Sequence, residues 1–264
     1  MEWWLAYLGI GIVVGFAAGL LGIGGGAISV PLLVWAFGAQ ALPAEHVMRL
    51  ALGTSMAVIF FTSLSSMRAY QQRDAVDWSI VRAMAPGILA GSFGAALSAA
   101  YIPTRGLAAI FTVLAFYAAA QMLFELRPRP SRTLPGRVGL FAAGAGIGVA
   151  ASLFAAGGAF LTVPFLLWCN VPVRRAIGTA AGNGFPIALA GTAGYVLQGL
   201  RAEGLPSATL GYVYLPALVL IVVASMSMAP IGTRTAYRLP VKALRRIFAV
   251  LIGAMALRTL ATLW

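Results

Sequence analysis

The residues best suited to chemistry in this sequence are glycines, hydroxyls and one amide. Gly24, Gly25 and Gly26 belong to Gly22-Ile-Gly-Gly-Gly-Ala27, inside an apolar run from Trp3 to Phe37; Gly157 and Gly158 belong to Ala155-Ala-Gly-Gly, inside a second run from Gly139 to Cys169. A glycine cluster interrupts a helix and lets backbone approach a neighbour or a ligand closely. The helices expected to restart after each cluster, over 27–38 and 159–169, begin with N–H groups that have no carbonyl one turn back and with the positive end of a helix dipole. Such a start binds anions. Ser29, Thr54, Ser55, Thr179 and the Asn183 amide are the side chains best suited to add donors.

Acid–base, metal and covalent chemistry have no comparable set. All six acidic residues, Glu2, Glu45, Asp74, Asp77, Glu125 and Glu203, fall at segment ends or in loops. The one histidine, His46, stands beside Glu45 and reads as a loop residue at a membrane edge. Cys169 is alone, which excludes an intrachain disulfide, and reads as a small apolar filler. With no paired ligands or acid–base partners inside the apolar segments, the chain is expected to be no enzyme and to carry no cofactor or metal. Gly22-x-Gly24-x-x-Ala27 followed by Glu45 formally matches a dinucleotide fingerprint, but no strand or βαβ unit surrounds it.

The elements that must position these residues are membrane helices. With 61% hydrophobic residues, 9% charged residues and a mean hydropathy of +0.93 over 264 residues, the chain cannot clothe a soluble surface. The segments are apolar over helical lengths and lack strand alternation, so the fold class is an all-α integral membrane protein. The net charge of +12 comes from arginines and one lysine scattered through loops, which sets topology; no nucleic-acid module is present and no nucleic-acid partner is expected. Glu2 stands where a signal peptide would carry a cation, so the N-terminal segment is expected to remain in the mature chain.

Ten apolar segments are expected, roughly 3–21, 27–38, 47–69, 79–101, 104–125, 137–154, 159–169, 174–199, 208–233 and 242–262. As one helix the first run of about 35 residues would be roughly 52 Å long, against a hydrocarbon core of about 30 Å. If each glycine-broken run crossed once, the cations would divide nine against nine; if each returns to its own side, they divide fourteen against four. The positive-inside rule selects returning runs, with the 126–137 and 234–246 loops cytoplasmic and both termini outside.

An internal repeat gives the same count. Gly11, Gly15, Gly19, Gly24, Gly25, Val30, Pro31 and Trp35 recur 133 residues later as Gly144, Gly148, Ser152, Gly157, Gly158, Val163, Pro164 and Trp168. Arg49-Leu-Ala-Leu-Gly-Thr-Ser55 is echoed by Arg174-Arg-Ala-Ile-Gly-Thr-Ala180. The expected organisation is a first repeat over 1–126, a cytoplasmic linker over 127–136 and a second repeat over 137–264. Five segments per repeat is an odd number, so the repeats are inverted, as in secondary transporters with broken helices at the midplane. Glycines and serine at every fourth position, Gly11, Gly15, Gly19 and Gly144, Gly148, Ser152, read as helix-packing strips, and so do Gly87 and Gly91.

Gly19-Leu-Leu-Gly-Ile-Gly-Gly-Gly-x-x-x-Val-Pro31, the following Leu52-Gly-Thr-Ser55 and the echo Ile177-Gly-Thr179 resemble the sulfite exporter TauE/SafE family over essentially the whole chain. The resemblance implies a secondary transporter, an exporter of sulfite or a related organosulfur anion across the bacterial inner membrane; a channel or permease for a carboxylate, sulfate or thiosulfate is the alternative. The second half departs from the first in having Ala155 and Ala159 where the first has Gly22 and Gly26. Partners are then the small anion and the bilayer, and a homo-oligomer is compatible with both.

Two further expectations concern the path. Gly182-Asn-Gly-Phe-Pro186 is expected to unwind the eighth segment and to turn Asn183 toward the substrate. Arg49 and Arg174 begin equivalent motifs at opposite faces, where they either gather the anion as a funnel or anchor helix ends by snorkelling.

Overall fold

The computed structural model describes residues 3–21, 25–124, 131–236, 246 and 249–258. They form α1 (Trp3–Leu21), α2 (Gly26–Ala39), α3 (Ala44–Gln71), α4 (Trp78–Ser98), α5 (Thr104–Leu123), α6 (Arg137–Phe154), α7 (Ala159–Trp168), α8 (Val173–Gly199), a two-stranded ribbon β1 (Thr209–Leu210) and β2 (Val213–Tyr214), α9 (Leu215–Ala236) and α10 (Ala249–Arg258). The all-α membrane class holds: α3, α4, α5 and α6 are each long and apolar enough to cross a bilayer. The glycine-broken runs are helix pairs, α1–α2 and α6–α7, whose second members have only 14 and 10 residues.

Local signals set the helix starts. Pro43, Pro103 and Pro172 occupy the N-cap positions of α3, α5 and α8, where a missing N–H costs nothing. Asp77 caps α4, its carboxylate accepting from the N–H groups of Ser79 at 3.1 Å and Ile80 at 3.4 Å. The Ser79 hydroxyl, which also donates to it, holds the Asp77 carboxyl below its ordinary value against a smaller opposing effect of burial. Asp77→Ala should therefore cost about 1 kcal/mol at neutral pH. Since the folded-state pKa is the depressed one, that contribution is complete above the unfolded-state value and disappears as pH falls through the folded one. Melting curves of the two proteins should converge in acid.

Both broken pairs return to the side they start from. Trp3, in the first turn of α1, meets Trp35 near the end of α2 with ring centroids 6.5 Å apart; Tyr7 packs on Phe37, and Gln40 donates to the Tyr7 hydroxyl. In the second pair the Trp168 indole at the end of α7 donates to Ser131 Oγ at 2.8 Å, just before α6, and the Trp168 carbonyl accepts from the Ser131 and Arg132 N–H groups.

The helices then pair across the chain. α1 lies along α9 and α4 along α6, the two most extensive pairings, while α3 and α8 cross at the centre. The glycine strips explain the closeness. A Cβ on Gly15 would overlap the backbone of Ser225 in α9, one on Gly11 would sit 2.7 Å from Ala224 Cβ, and one on Gly91 would overlap the Ala145 carbonyl in α6. Such backbone proximity is how membrane helices associate without a hydrophobic driving force between them.

Two expectations are corrected. The segment read as apolar from 208 begins as the β1–β2 ribbon, with Thr209 opposite Tyr214 and Leu210 opposite Val213, and only then becomes α9. The turn is made by Gly211 at φ +57°, tucked so closely on α8 that a Cβ there would overlap the Val196 carbonyl. The second concerns α8, which stays helical through Pro186. Val81 and Val76 pack against Gly182, and Ser63 lies 3.5 Å from where a Gly184 Cβ would stand, so neighbouring helices enclose this stretch and outweigh the roughly 3 kcal/mol that an interior proline costs.

Candidate functional site

The two breaks have matching backbone. Gly25 and Gly158, the N-caps of α2 and α7, are both left-handed, with φ of 70° and 73°. After each turn the helix begins tightly: the N–H groups of Ile28 and Ser29 both reach the Gly25 carbonyl, and those of Leu161 and Thr162 both reach the Gly158 carbonyl. The N–H groups of Gly26 and Ala27, and of Ala159 and Phe160, have no carbonyl one turn back in their own helices. Gly24 lies outside the described residues.

These two helix starts meet in the interior. Gly26 abuts the α6–α7 break so closely that a Cβ on it would overlap the Ala155 carbonyl oxygen and stand 2.5 Å from Ile59 Cδ1 of α3. On the other side a Gly184 Cβ would stand 3.4 Å from the Gly157 carbonyl, and Gly158 faces Ile187 of α8. So Gly25, Gly26, Gly157 and Gly158 come together, walled by Ile59 and Ser63 from α3 and by Gly184 and Ile187 from α8. Among the described residues no Asp, Glu, Lys or Arg is buried.

Hydroxyls flank both starts, but unequally. Ser29 Oγ lies 2.7 Å from Ser55 Oγ and 3.1 Å from the Gly26 carbonyl, and both serines are fully buried. With one hydrogen each, this pair satisfies itself. The repeat places Thr162 opposite Ser29 and Ala180 opposite Ser55. Alanine offers no side-chain oxygen, and the fully buried Thr162 Oγ1 has no partner among the described residues; it stands 3.7 Å from where a Gly158 Cβ would be. Reading the sequence did not single out Thr162, and the repeat offset from Ser29 is the signal that points to it.

Asn183, fully buried and one turn before Ile187 on α8, donates weakly from Nδ2 to Met84 Sδ at 3.5 Å, while its Oδ1 has no partner among the described residues. Ser152 Oγ is likewise buried without a partner. An unsatisfied buried polar group costs about 1–3 kcal/mol, and in the second half Ser152, Thr162, Asn183 and Thr192 each leave a buried side-chain atom without a partner among the described residues.

The remaining candidates have other partners. Thr54 Oγ1 accepts from the Tyr214 N–H at 3.0 Å, and Thr179 Oγ1 accepts from the Asp77 N–H at 3.0 Å. Arg49 spans the end of α4, donating to the carbonyls of Ala99 at 3.3 Å, Ala100 at 3.2 Å and Ile102 at 2.9 Å, and to its own turn at Glu45 at 2.9 Å. That geometry is an anchor for a helix end. Arg174 is exposed and donates to the Arg73 carbonyl at 2.9 Å. His46 is in the first turn of α3 rather than in a loop, buried, with Nε2 3.0 Å from the Glu203 carbonyl. Cys169 caps the far end of α7, about 15 Å of helix away from Gly158.

Comparison with known proteins agrees with this architecture. The family described as sulfite exporter TauE/SafE matches residues 7–259. A probable membrane transporter protein of Haemophilus influenzae is 32% identical over 253 residues, covering 94% of each chain. A probable membrane transporter protein of Methanocaldococcus jannaschii is 23% identical over 264 residues, covering 94% of this chain and 92% of its own. A probable membrane transporter protein of Bacillus subtilis, YdhB, is 26% identical over 239 residues, covering 88% of each. No solved structure matches. Multiple membrane helices, glycine-broken helix pairs meeting at the centre and a match over nearly the whole length lead to one conclusion: the chain belongs to the sulfite exporter TauE/SafE family of membrane transporters.

Proposed function

We propose that the chain is a secondary transporter that exports a small sulfur-containing anion, sulfite or an organosulfonate, across the bacterial inner membrane by alternating access. The observation that carries this reading is the meeting of the α2 and α7 starts in a buried region without fixed charge. Two positive dipole ends and several N–H donors favour an oxyanion there, and neutral surroundings let it leave again. In this reading residues 1–126 and 137–264 are inverted halves joined by the 127–136 linker, the basic face bearing Arg73, Arg82, Arg137 and Arg174 is cytoplasmic, and both termini are periplasmic.

The donor inventory favours the second half as the stronger contact. Ser29 and Ser55 satisfy each other, whereas Thr162 has a hydroxyl to offer and Asn183 an amide held only by a weak bond to sulfur. Among the described residues no buried carboxylate offers a site for a coupling proton, which suits uniport. The membrane potential then drives export, at about 2.3 kcal/mol per negative charge per 100 mV.

The test is uptake of radiolabelled sulfite into proteoliposomes, together with a thermal-shift screen of sulfite, sulfate, thiosulfate, sulfonates and carboxylates. The bound anion should raise the melting temperature as its concentration rises. Thr162→Val should weaken half-saturation about 10-fold, the scale of one lost hydrogen bond to a charged group, while Ser29→Ala changes it less. Flux that rises linearly with substrate, at conductances beyond carrier rates, would sink alternating access.

A further inference from the structure

A cavity with a cationic rim lies away from the glycine breaks, at the first turns of α4 and α6. Between the first turns of α4 and α6 is an open cavity of about 790 Å³ whose lining includes Ser79 and Arg82 on one wall and Arg137 on the other. Neither guanidinium makes a hydrogen bond or ion pair to any described residue. Asp77, the acid that caps α4, is engaged by Ser79, by the start of α4 and by Arg175 at 4.0 Å. Two arginines thus face one cavity whose described lining holds no carboxylate.

The rest of the lining is apolar. Pro86, one turn beyond Arg82, and Leu140 and Phe141, one turn beyond Arg137, continue the cavity wall away from the charged rim. Phe141 and Val138 are exposed on α6, a helix long and apolar enough to cross a bilayer, where outward apolar side chains suit lipid. The cavity therefore changes from cationic to greasy over about 6 Å, one turn of each helix. A soluble oxyanion would use only the rim. An amphiphile uses both parts.

We propose that this cavity binds an anionic phospholipid, with the headgroup phosphate between Arg82 and Arg137 and an acyl chain lying along Pro86, Leu140 and Phe141. Arginine suits the part because its planar fork donates to phosphate oxygens in pairs, and basic pockets between membrane helices recognise anionic headgroups. The position gives the lipid leverage: α4 and α6 come from different parts of the chain and touch through Gly87, Gly91, Gly144 and Gly148, so an amphiphile at their first turns bridges that seam.

Native mass spectrometry of the delipidated full-length protein, titrated with phosphatidylglycerol or phosphatidylcholine, tests this. The wild type should hold one phosphatidylglycerol more tightly than any further copies, and the Arg82→Gln/Arg137→Gln double variant should bind it about 10-fold or more weakly. Arg201→Gln, a charge change elsewhere, should bind as wild type does. Arg82→Lys/Arg137→Lys keeps the charge and should retain most of the binding, which keeps the test decisive if the neutral double variant folds poorly. Equal phosphatidylglycerol binding by wild type and the neutral variant overturns the proposal. So does arginine-dependent thermal stabilisation by inorganic phosphate or glycerol phosphate that matches stabilisation by the lipid, since that places a soluble anion in the cavity.

Discussion

Gly26→Ala should reduce transport about 100-fold, whereas Gly158→Ala should leave a protein that still transports. Both add one methyl group at equivalent breaks, but they meet different obstacles. At Gly26 the new carbon overlaps the carbonyl oxygen of Ala155, which is backbone, and that residue is already fixed in a left-handed turn at φ 46° and ψ 45°. Neither atom can rotate away, so the start of α2 has to withdraw from the α6–α7 break. Displacements of about an ångström at a site of close approach cost on the order of 100-fold in rate. At Gly158 the obstacle is Ile187 Cδ1, the far end of a flexible side chain, and the larger cost is backbone: alanine at φ +73° loses roughly 1–2 kcal/mol. The measurement is initial flux in proteoliposomes normalised to folded protein, with melting temperature recorded for each variant. Wild-type flux from Gly26→Ala would remove the meeting of the two breaks from the mechanism.

The division of labour between sequence and structure follows from the range of each interaction. Helix class, the ten apolar segments and the returning pairs were legible because hydropathy and arginine placement are local properties summed over many residues. The packing strips were legible for the same reason: Gly11, Gly15, Gly144 and Gly148 carry their period in the sequence, and the structure puts them against α9 and α4. Thr162 was not legible alone, since one threonine in an apolar run most often bonds its own backbone. It stands out only when Ser29 is seen to be paired and Ala180 is seen to offer nothing. The ribbon at 209–214 was missed because its residues are as apolar as a helix and its turn is dictated by Val196 of α8, not by its neighbours in sequence. At Pro186 a true local signal was outvoted by packing.

The packing also regroups the chain. Contacts link α1, α2, α3 and α9 through α1 and α3, and link α4, α6 and α7 through α8, with α3 packed against α8 between them. α4 packs on the second returning pair, through α6, and α9 on the first, through α1. The α1–α9 and α4–α6 pairs, in continuous backbone contact through glycine, do not slide cheaply.

Thr54 and Thr179 are the fasteners of that exchange, which makes them the second place where a small change should have a large effect. Thr54 of α3 accepts from the Tyr214 N–H at the start of α9, 160 residues away, and Thr179 of α8 accepts from the Asp77 N–H at the start of α4, 102 residues away. The glycine before each threonine lets the incoming strand pass: a Cβ on Gly53 would overlap the Tyr212 carbonyl, and one on Gly178 would overlap the Ala75 carbonyl. Thr54→Val and Thr179→Val keep shape and volume but strand a partly buried N–H. Each should cost about 1–3 kcal/mol, or roughly 2–10 °C in melting temperature, and the two losses should add because the sites are independent. Thr→Ser at either position retains the acceptor and should remain near wild type. Gly53→Ala and Gly178→Ala, which force backbone against backbone, should be worse than either valine. If the threonines instead hold substrate, the valine variants will melt as wild type does and lose anion-dependent stabilisation; if they are fasteners, basal stability falls and the shift produced by bound anion stays the same size.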